Sequence, residues 1–183
     1  MMVRLFIQCP TGISGDMFLA AMGDLGLDFT PLEEIFKQAG VAVRIDLQKE
    51  RHRGLIGSSL LVQDEAEQSL RHLEDLQEIV DKCSLSPDVK TKSKNALQKL
   101  AQAEAKVHGV DLSEVHFHEI GATDTLVDVV GTFWALQTMG ISRVTCSSLP
   151  WFGGYVDCAH GRLPLPAPAT LQFLQDKPVY PSN

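Results

Sequence analysis

The run from Ala122 to Met139 restricts the folding of this 183-residue chain more than any other stretch. Leu126, Val127, Val129, Val130, Phe133, Trp134, Leu136 and Met139 recur on nearly every side of a helix, and a helix that is apolar all round has to be buried. Its polar stripe, Asp124, Asp128 and Thr132, must then face something polar. A buried carboxylate is costly unless it is paired, hydrogen-bonded or bound to metal. Just before the helix come His116, His118 and Glu119. Side chains of an extended segment repeat every second residue, so His116 and His118 share a face. On the helix, Asp124 and Asp128 lie one turn apart on one face. Paired imidazoles leading into paired carboxylates point to a divalent-cation site, with His116, His118, Glu119, Asp124 and Asp128 as candidate ligands. Such donors admit zinc, nickel, manganese or iron. The plainer alternative has Asp124 favouring the positive end of the helix, Thr123 capping it and the histidines bonded to backbone. The density of titratable groups favours a site for the cluster as a whole.

A second constrained stretch lies near the N-terminus. Val3 to Cys9 is a short apolar run that reads as a buried strand. Pro10-Thr11-Gly12-Ile13-Ser14-Gly15-Asp16-Met17 then turns into a helix reaching about Gly26, with Ser14 as N-cap and Phe18, Leu19, Ala21, Met22 and Leu25 as its apolar face. A strand, a glycine loop and a helix start expose free N–H groups, so Gly12, Ser14 and Gly15 form a candidate phosphate cradle. The loop lacks the Gly-Lys-Ser/Thr of a Walker A motif and is not GxGxxG. The alternative is a plain tight turn. Asp16 suits the positive helix end, or else holds a metal beside the phosphate.

A short helix is expected from Pro31 to Gly40. Val41, Val43, Ile45 and Leu47 alternate with polar residues as a strand with one wet face, and Ile56 to Gln63 reads as its antiparallel partner. Between them Lys49, Arg51, His52 and Arg53 make the one compact basic cluster. It is either a solvated hairpin tip or a lid supplying Arg53 to an anionic ligand. Amphipathic helices are expected near Gln68–Lys82 and Pro87–His108, each with a solvated face or a surface for an oligomer or partner. Arg143 to Ser148 reads as a strand that completes, with His118, a βαβ unit. Leu149 to Tyr155 is a glycine- and aromatic-rich loop suited to a pocket wall. His160 is either a third imidazole ligand, an acid–base group or a structural residue. A last helix runs from Pro168 to Gln175, and the tail from Lys177 carries no evident closing element.

The expected product is one α/β domain: a mixed sheet of four or five strands flanked by helices, with its site where the glycine loop approaches the His116–Asp128 segment. A composition of 44% hydrophobic and 21% charged residues is that of an ordinary globular protein. The net charge of −7 argues against nucleic acid as a partner. No apolar run approaches the roughly 18 residues of a membrane span, and no signal-peptide pattern opens the chain, so no membrane association and a cytoplasmic location are expected. Cys9, Cys83, Cys146 and Cys158 lack CxxC spacing and read as reduced thiols. Cys9, beside the glycine loop, is either reactive or simply buried.

Several blocks together resemble one family. They are Gly12-Ile13-Ser14-Gly15-Asp16-Met17, the segment His116 to Asp124 extended through Gly131, Cys158-Ala159-His160-Gly161, the run Pro164 to Thr170 and, less specifically, Arg53-Gly54-Leu55-Ile56-Gly57. Over essentially the whole chain they are similar to the nickel-insertion proteins of the lactate racemase system. The resemblance implies a nickel chelatase, or cyclometallase, of the lyase class. Such proteins insert nickel into pyridinium-3,5-bisthiocarboxylic acid mononucleotide, making one carbon–nickel and two sulfur–nickel bonds of the nickel-pincer nucleotide cofactor. They consume CTP, with magnesium or manganese, and release CMP and pyrophosphate. Full-length members are longer, and this chain resembles their N-terminal part. The C-terminal part, to which the CTP site is attributed, is therefore an expected partner, as is the apo lactate racemase-type enzyme. The chain departs from the family at Gln8, where an acidic residue is usual.

On this reading His116, His118, Glu119 and His160 supply nickel ligands with carboxylate support, and Gly12, Ser14, Gly15 and Arg53 hold the mononucleotide's phosphate. Carbon–nickel bond formation displaces a ring proton, for which His118 or Asp16 is the candidate base. Two rivals stand beside it. One is a metal-dependent phosphohydrolase using Asp16, Asp124 and Asp128 around magnesium. The other is a non-catalytic nickel-binding chaperone or scaffold.

Overall fold

The computed structural model describes residues 3–64, 72–115, 117, 122–158 and 161–181. The helix expected at Ala122 to Met139 is present as α5 (Ala122–Thr138). The elements run β1 (Val3–Ile7), α1 (Gly15–Asp24), α2 (Thr30–Gln38), β2 (Val43–His52), β3 (Leu55–Asp64), α3 (Leu73–Lys82), α4 (Pro87–His108), α5, β4 (Ile141–Cys146), β5 (Leu149–Trp151), β6 (Tyr155–Cys158), β7 (Gly161–Pro164), α6 (Pro168–Leu174) and β8 (Val179–Pro181). This is the expected α/β class. Among the described residues its strands pair two by two, as β1–β4 and β5–β8 in parallel and β2–β3 and β6–β7 antiparallel, in place of one sheet of four or five strands.

The core explains the difference, because helix α5 is its axis. Leu126, Val127, Val130 and Ala135 are fully buried there, and the helix packs on α1 on one side and α4 on the other. Gly131 allows a close approach there. A Cβ there would lie 3.1 Å from Leu19 and 3.2 Å from Leu32. The same cluster takes Leu32 and Phe36 from α2, Val43 and Ile45 from β2, Leu60 from β3, Leu76 and Val80 from α3, and Leu97 from α4. Helix-on-helix burial of this kind satisfies most of the apolar surface, so the strands are not forced together to bury it.

Helix ends follow local chemistry. Pro87 stands in the first turn of α4, the Ser86 Oγ accepts the Val89 N–H at 3.3 Å, and Gly109 closes the helix in the left-handed region at φ 65°. Ser86→Ala is expected to lower stability by about 1 kcal/mol, measured as the denaturation midpoint. No change would mean that the cap contributes nothing here.

The two-stranded β2–β3 ladder runs in register from Val43 opposite Asp64 to His52 opposite Leu55. Its connection is only Arg53-Gly54, with φ of 48° and 91°, the two positive values that a tight primed turn requires. Lys49, Arg51 and His52 therefore belong to β2 and not to a loop. Lys49 is engaged there with Asp24 and with Ser58 Oγ at 2.8 Å.

Strand β4 takes β1 as its parallel partner, and the start at His118 expected for a βαβ unit lies outside the described residues. Val115 and Phe117 lie outside any strand and are buried in the core. The tail, read as ending freely, closes as β8 against β5. Three residues bounded by proline carry no strand pattern of their own. Of the helix expected from Gln68, residues 68–71 lie outside the described part. No described helix is long and apolar enough to cross a membrane.

Candidate functional site

Strand β1 delivers the glycine loop to the N-terminus of α1. Cys9, buried as a small hydrophobe, donates its N–H to Ser147 Oγ at 3.0 Å, and the Gly12 N–H donates to the Cys9 carbonyl at 3.2 Å. Ser14 holds the extended conformation of an N-cap, yet its hydroxyl does not cap the helix and donates to Asp16 Oδ1. The first-turn N–H groups of α1 have no partner within the helix.

A carboxylate occupies this corner. An added Cβ on Gly15 would lie 2.3 Å from Asp128 Cγ and 2.5 Å from its Oδ2. Glycine is thus what lets α5 set the Asp128 side chain directly on the start of α1. Asp128 is half-buried and Asp124, one turn earlier, is exposed. Asp64 at the end of β3 joins the same corner. Its Oδ2 accepts the buried Thr123 hydroxyl at 2.6 Å.

These charges repel one another. Burial pushes the Asp128 carboxyl up to about 7, and the negative charges of Asp16 and Asp124 add to the shift. Asp124 is raised as well, through partial desolvation first and then the charges of Asp64 and Asp16. The positive end of α1 opposes these effects, but a helix terminus supplies at most about 2 kcal/mol. A rise of roughly three pH units corresponds to about 4 kcal/mol before solvent screening. Desolvation and repulsion win. A corner of this charge attracts cations, and the phosphate cradle expected of Gly12, Ser14 and Gly15 would set an anion beside Asp16 and Asp128.

The expected residues thus divide. Gly12, Ser14, Gly15, Asp16, Asp124 and Asp128 are brought together around the start of α1. Arg53 is not: it sits exposed beyond the end of a ten-residue strand whose other end is Asp64. That length spans about 30 Å. Arg53 thus stands at the hairpin tip, at the opposite end of β3 from Asp64. His116, His118, Glu119 and His160 lie outside the described residues. Among the described residues no three His, Cys, Asp or Glu side chains form a ready metal-binding group, so the aspartates act on each other through space without closing a ligand set. Sequence reading missed Asp64 and Ser147, because a single carboxylate or hydroxyl at a strand end carries no spacing signal.

Residues 5–183 match the family model described as nickel insertion protein. The chain is 43% identical over 180 residues to a putative nickel insertion protein of Dictyoglomus thermophilum, covering 98% of this chain and 47% of that protein. It is 40% identical over 179 residues to one of Geobacter metallireducens, covering 96% and 46%. It is also 41% identical over 182 residues to the pyridinium-3,5-bisthiocarboxylic acid mononucleotide nickel insertion protein of Desulfitobacterium hafniense, covering 98% and 45%. The chain therefore spans under half the length of these curated relatives. No solved structure matches it.

Proposed function

Because this chain belongs to the nickel insertion protein family, we propose that it takes up nickel as a substrate at the aspartates around the start of α1. There it presents the metal to a pyridinium-type mononucleotide. The observation that carries this reading is the Asp128 carboxylate, wedged against Gly15 with its proton affinity raised by burial and by Asp16 and Asp124. A corner with excess negative charge lowers its free energy by taking a cation. His116, His118, Glu119 and His160 are proposed as the imidazole and carboxylate donors that complete the set, since nickel favours nitrogen beside oxygen.

The family's chemistry displaces a ring proton as carbon bonds to nickel. His118 and Asp16 are the proposed acceptors. Turnover with CTP and magnesium or manganese is proposed for the full-length protein, as are docking of its remaining part and supply to a lactate racemase-type enzyme in the cytoplasm.

Titrating nickel calorimetrically into the metal-free chain at pH 8 tests the reading. We expect Asp16→Asn/Asp124→Asn and His116→Ala/His118→Ala each to weaken binding by at least about tenfold. Wild-type affinity in both variants would remove the metal from this corner. The described donors are all oxygens, which also suits magnesium. Metal-dependent phosphate release from a mononucleotide by the chain alone, without nickel uptake, would favour the phosphohydrolase reading.

A further inference from the structure

The glycine loop has a second wall, opposite in character to the aspartates. Gly12 adopts φ +82°, and a Cβ there would meet the Phe152 ring edge at 3.2 Å from Cε2 and 3.6 Å from Cζ. Phe152 comes from the loop between β5 and β6 and is half-buried, yet it has no place in the hydrophobic cluster that forms the core. Its ring lies against the loop at Gly12 and keeps part of its surface open. The contact is not a chance approach of two free loops. Ser147 Oγ, five residues before Phe152, accepts the Cys9 N–H at 3.0 Å, and the Tyr180 hydroxyl, on the strand paired with β5, donates to the Pro10 carbonyl at 2.9 Å, so residues 9 and 10 are tied to the same part of the fold. Further exposed apolar side chains, Ile13, Met17 and Trp151, adjoin the two segments in sequence.

We infer that Phe152, seated on Gly12, is the platform on which the flat, positively charged ring of a pyridinium-class mononucleotide stacks, three residues along the loop from the aspartate corner. An aromatic face attracts a planar cation. The carboxylates at Gly15 give a cationic ring and an incoming metal ion the same favourable potential. Half-buried, Phe152 keeps ring surface that a ligand can cover. Phe152 is therefore a positioning residue for the ring. This inference rests on the proposed substrate class and deepens it.

The test uses nicotinic acid mononucleotide as the ring probe and ribose 5-phosphate as the ringless control, each titrated into wild type, Phe152→Leu, Phe152→Tyr and Phe152→Trp chains. We expect wild type to bind the probe at least about fivefold more tightly than the control. Phe152→Leu should lose about fivefold to tenfold in probe affinity, while Phe152→Tyr and Phe152→Trp retain it. The thermal midpoint and nickel affinity of Phe152→Leu should match wild type, which a structural role would not allow. The inference is overturned by equal probe affinity in Phe152→Leu, by a control that binds as well as the probe, or by no probe binding in wild type. Failure of nickel uptake with ring binding intact would instead strike the proposed metal function alone.

Discussion

Gly15→Ala is expected to destabilise the chain by about 1–3 kcal/mol, although the same change favours an isolated helix by up to about 1 kcal/mol. The residue opens α1 in ordinary helical geometry, so alanine meets no conformational objection there. The objection comes from α5: the new methyl would stand 2.3 Å from Asp128 Cγ and 2.5 Å from Asp128 Cβ. Either the aspartate leaves its rotamer or the two helices part, and α1 and α5 share the centre of the core. For a chain of this size the loss corresponds to a fall of about 2–12 °C in thermal midpoint. Gly57→Ala is the control, since nothing lies within 4 Å of its added carbon. Truncating the opposing side chain in Gly15→Ala/Asp128→Ala should recover part of the loss, a coupling that a double-mutant cycle reads directly. A stabilised Gly15→Ala chain would show that the two helices do not meet as described.

Asp128→Asn is expected to raise stability while lowering cation affinity. Burial and the charges of Asp16 and Asp124 push the native carboxyl up to about 7 from an ordinary 3.8. Between those values the native state holds the proton that the unfolded chain releases, so wild-type stability falls as pH rises through this window. Below about pH 4 both states are protonated, and asparagine offers no advantage. Above about pH 7 the ionised carboxylate is fully penalised, and Asp128→Asn should be more stable by about 2 kcal/mol once solvent screening of a half-buried group is allowed for. Nickel affinity should move the opposite way. In wild type it rises by up to about tenfold per pH unit towards 7 and then levels, because the cation must displace that proton. In Asp128→Asn the rise attributable to this group is gone. Chemical denaturation and calorimetry at pH 5, 6, 7 and 8 measure both. An Asp128→Asn chain less stable than wild type at pH 8 would mean that the carboxylate is compensated by a partner and not repelled. A group kept at a cost to stability is expected where function requires it.

Much of this was legible in the chain. The all-round apolar pattern of Leu126 to Met139 required a central helix, and α5 is one. The alternation of Val43 and Ile45, with the Ile56–Gln63 run, required the β2–β3 pair. Ser86-Pro87 and Gly109 marked both ends of α4. These signals are local: they depend on side-chain period and on which residues tolerate a cap or a left-handed turn. The glycine loop and Asp124–Asp128 also stood out as the candidate site, since closely packed titratable groups tend to mark sites.

Partnership across the chain was a different matter. Nothing in Val3–Ile7 says that Ile141–Cys146 will lie beside it, or that a three-residue tail will pair with Leu149–Trp151. The sequence determined by itself the elements, the buried axis and the residues able to do chemistry, because those follow from period and composition. Only the tertiary structure decided that Gly15 receives Asp128, that Asp64 joins the corner through Thr123, that Phe152 seats on Gly12 and that Arg53 is carried away. Contacts between residues far apart in the chain are settled by how whole helices pack. A charge becomes an unusual charge only when packing decides what stands next to it.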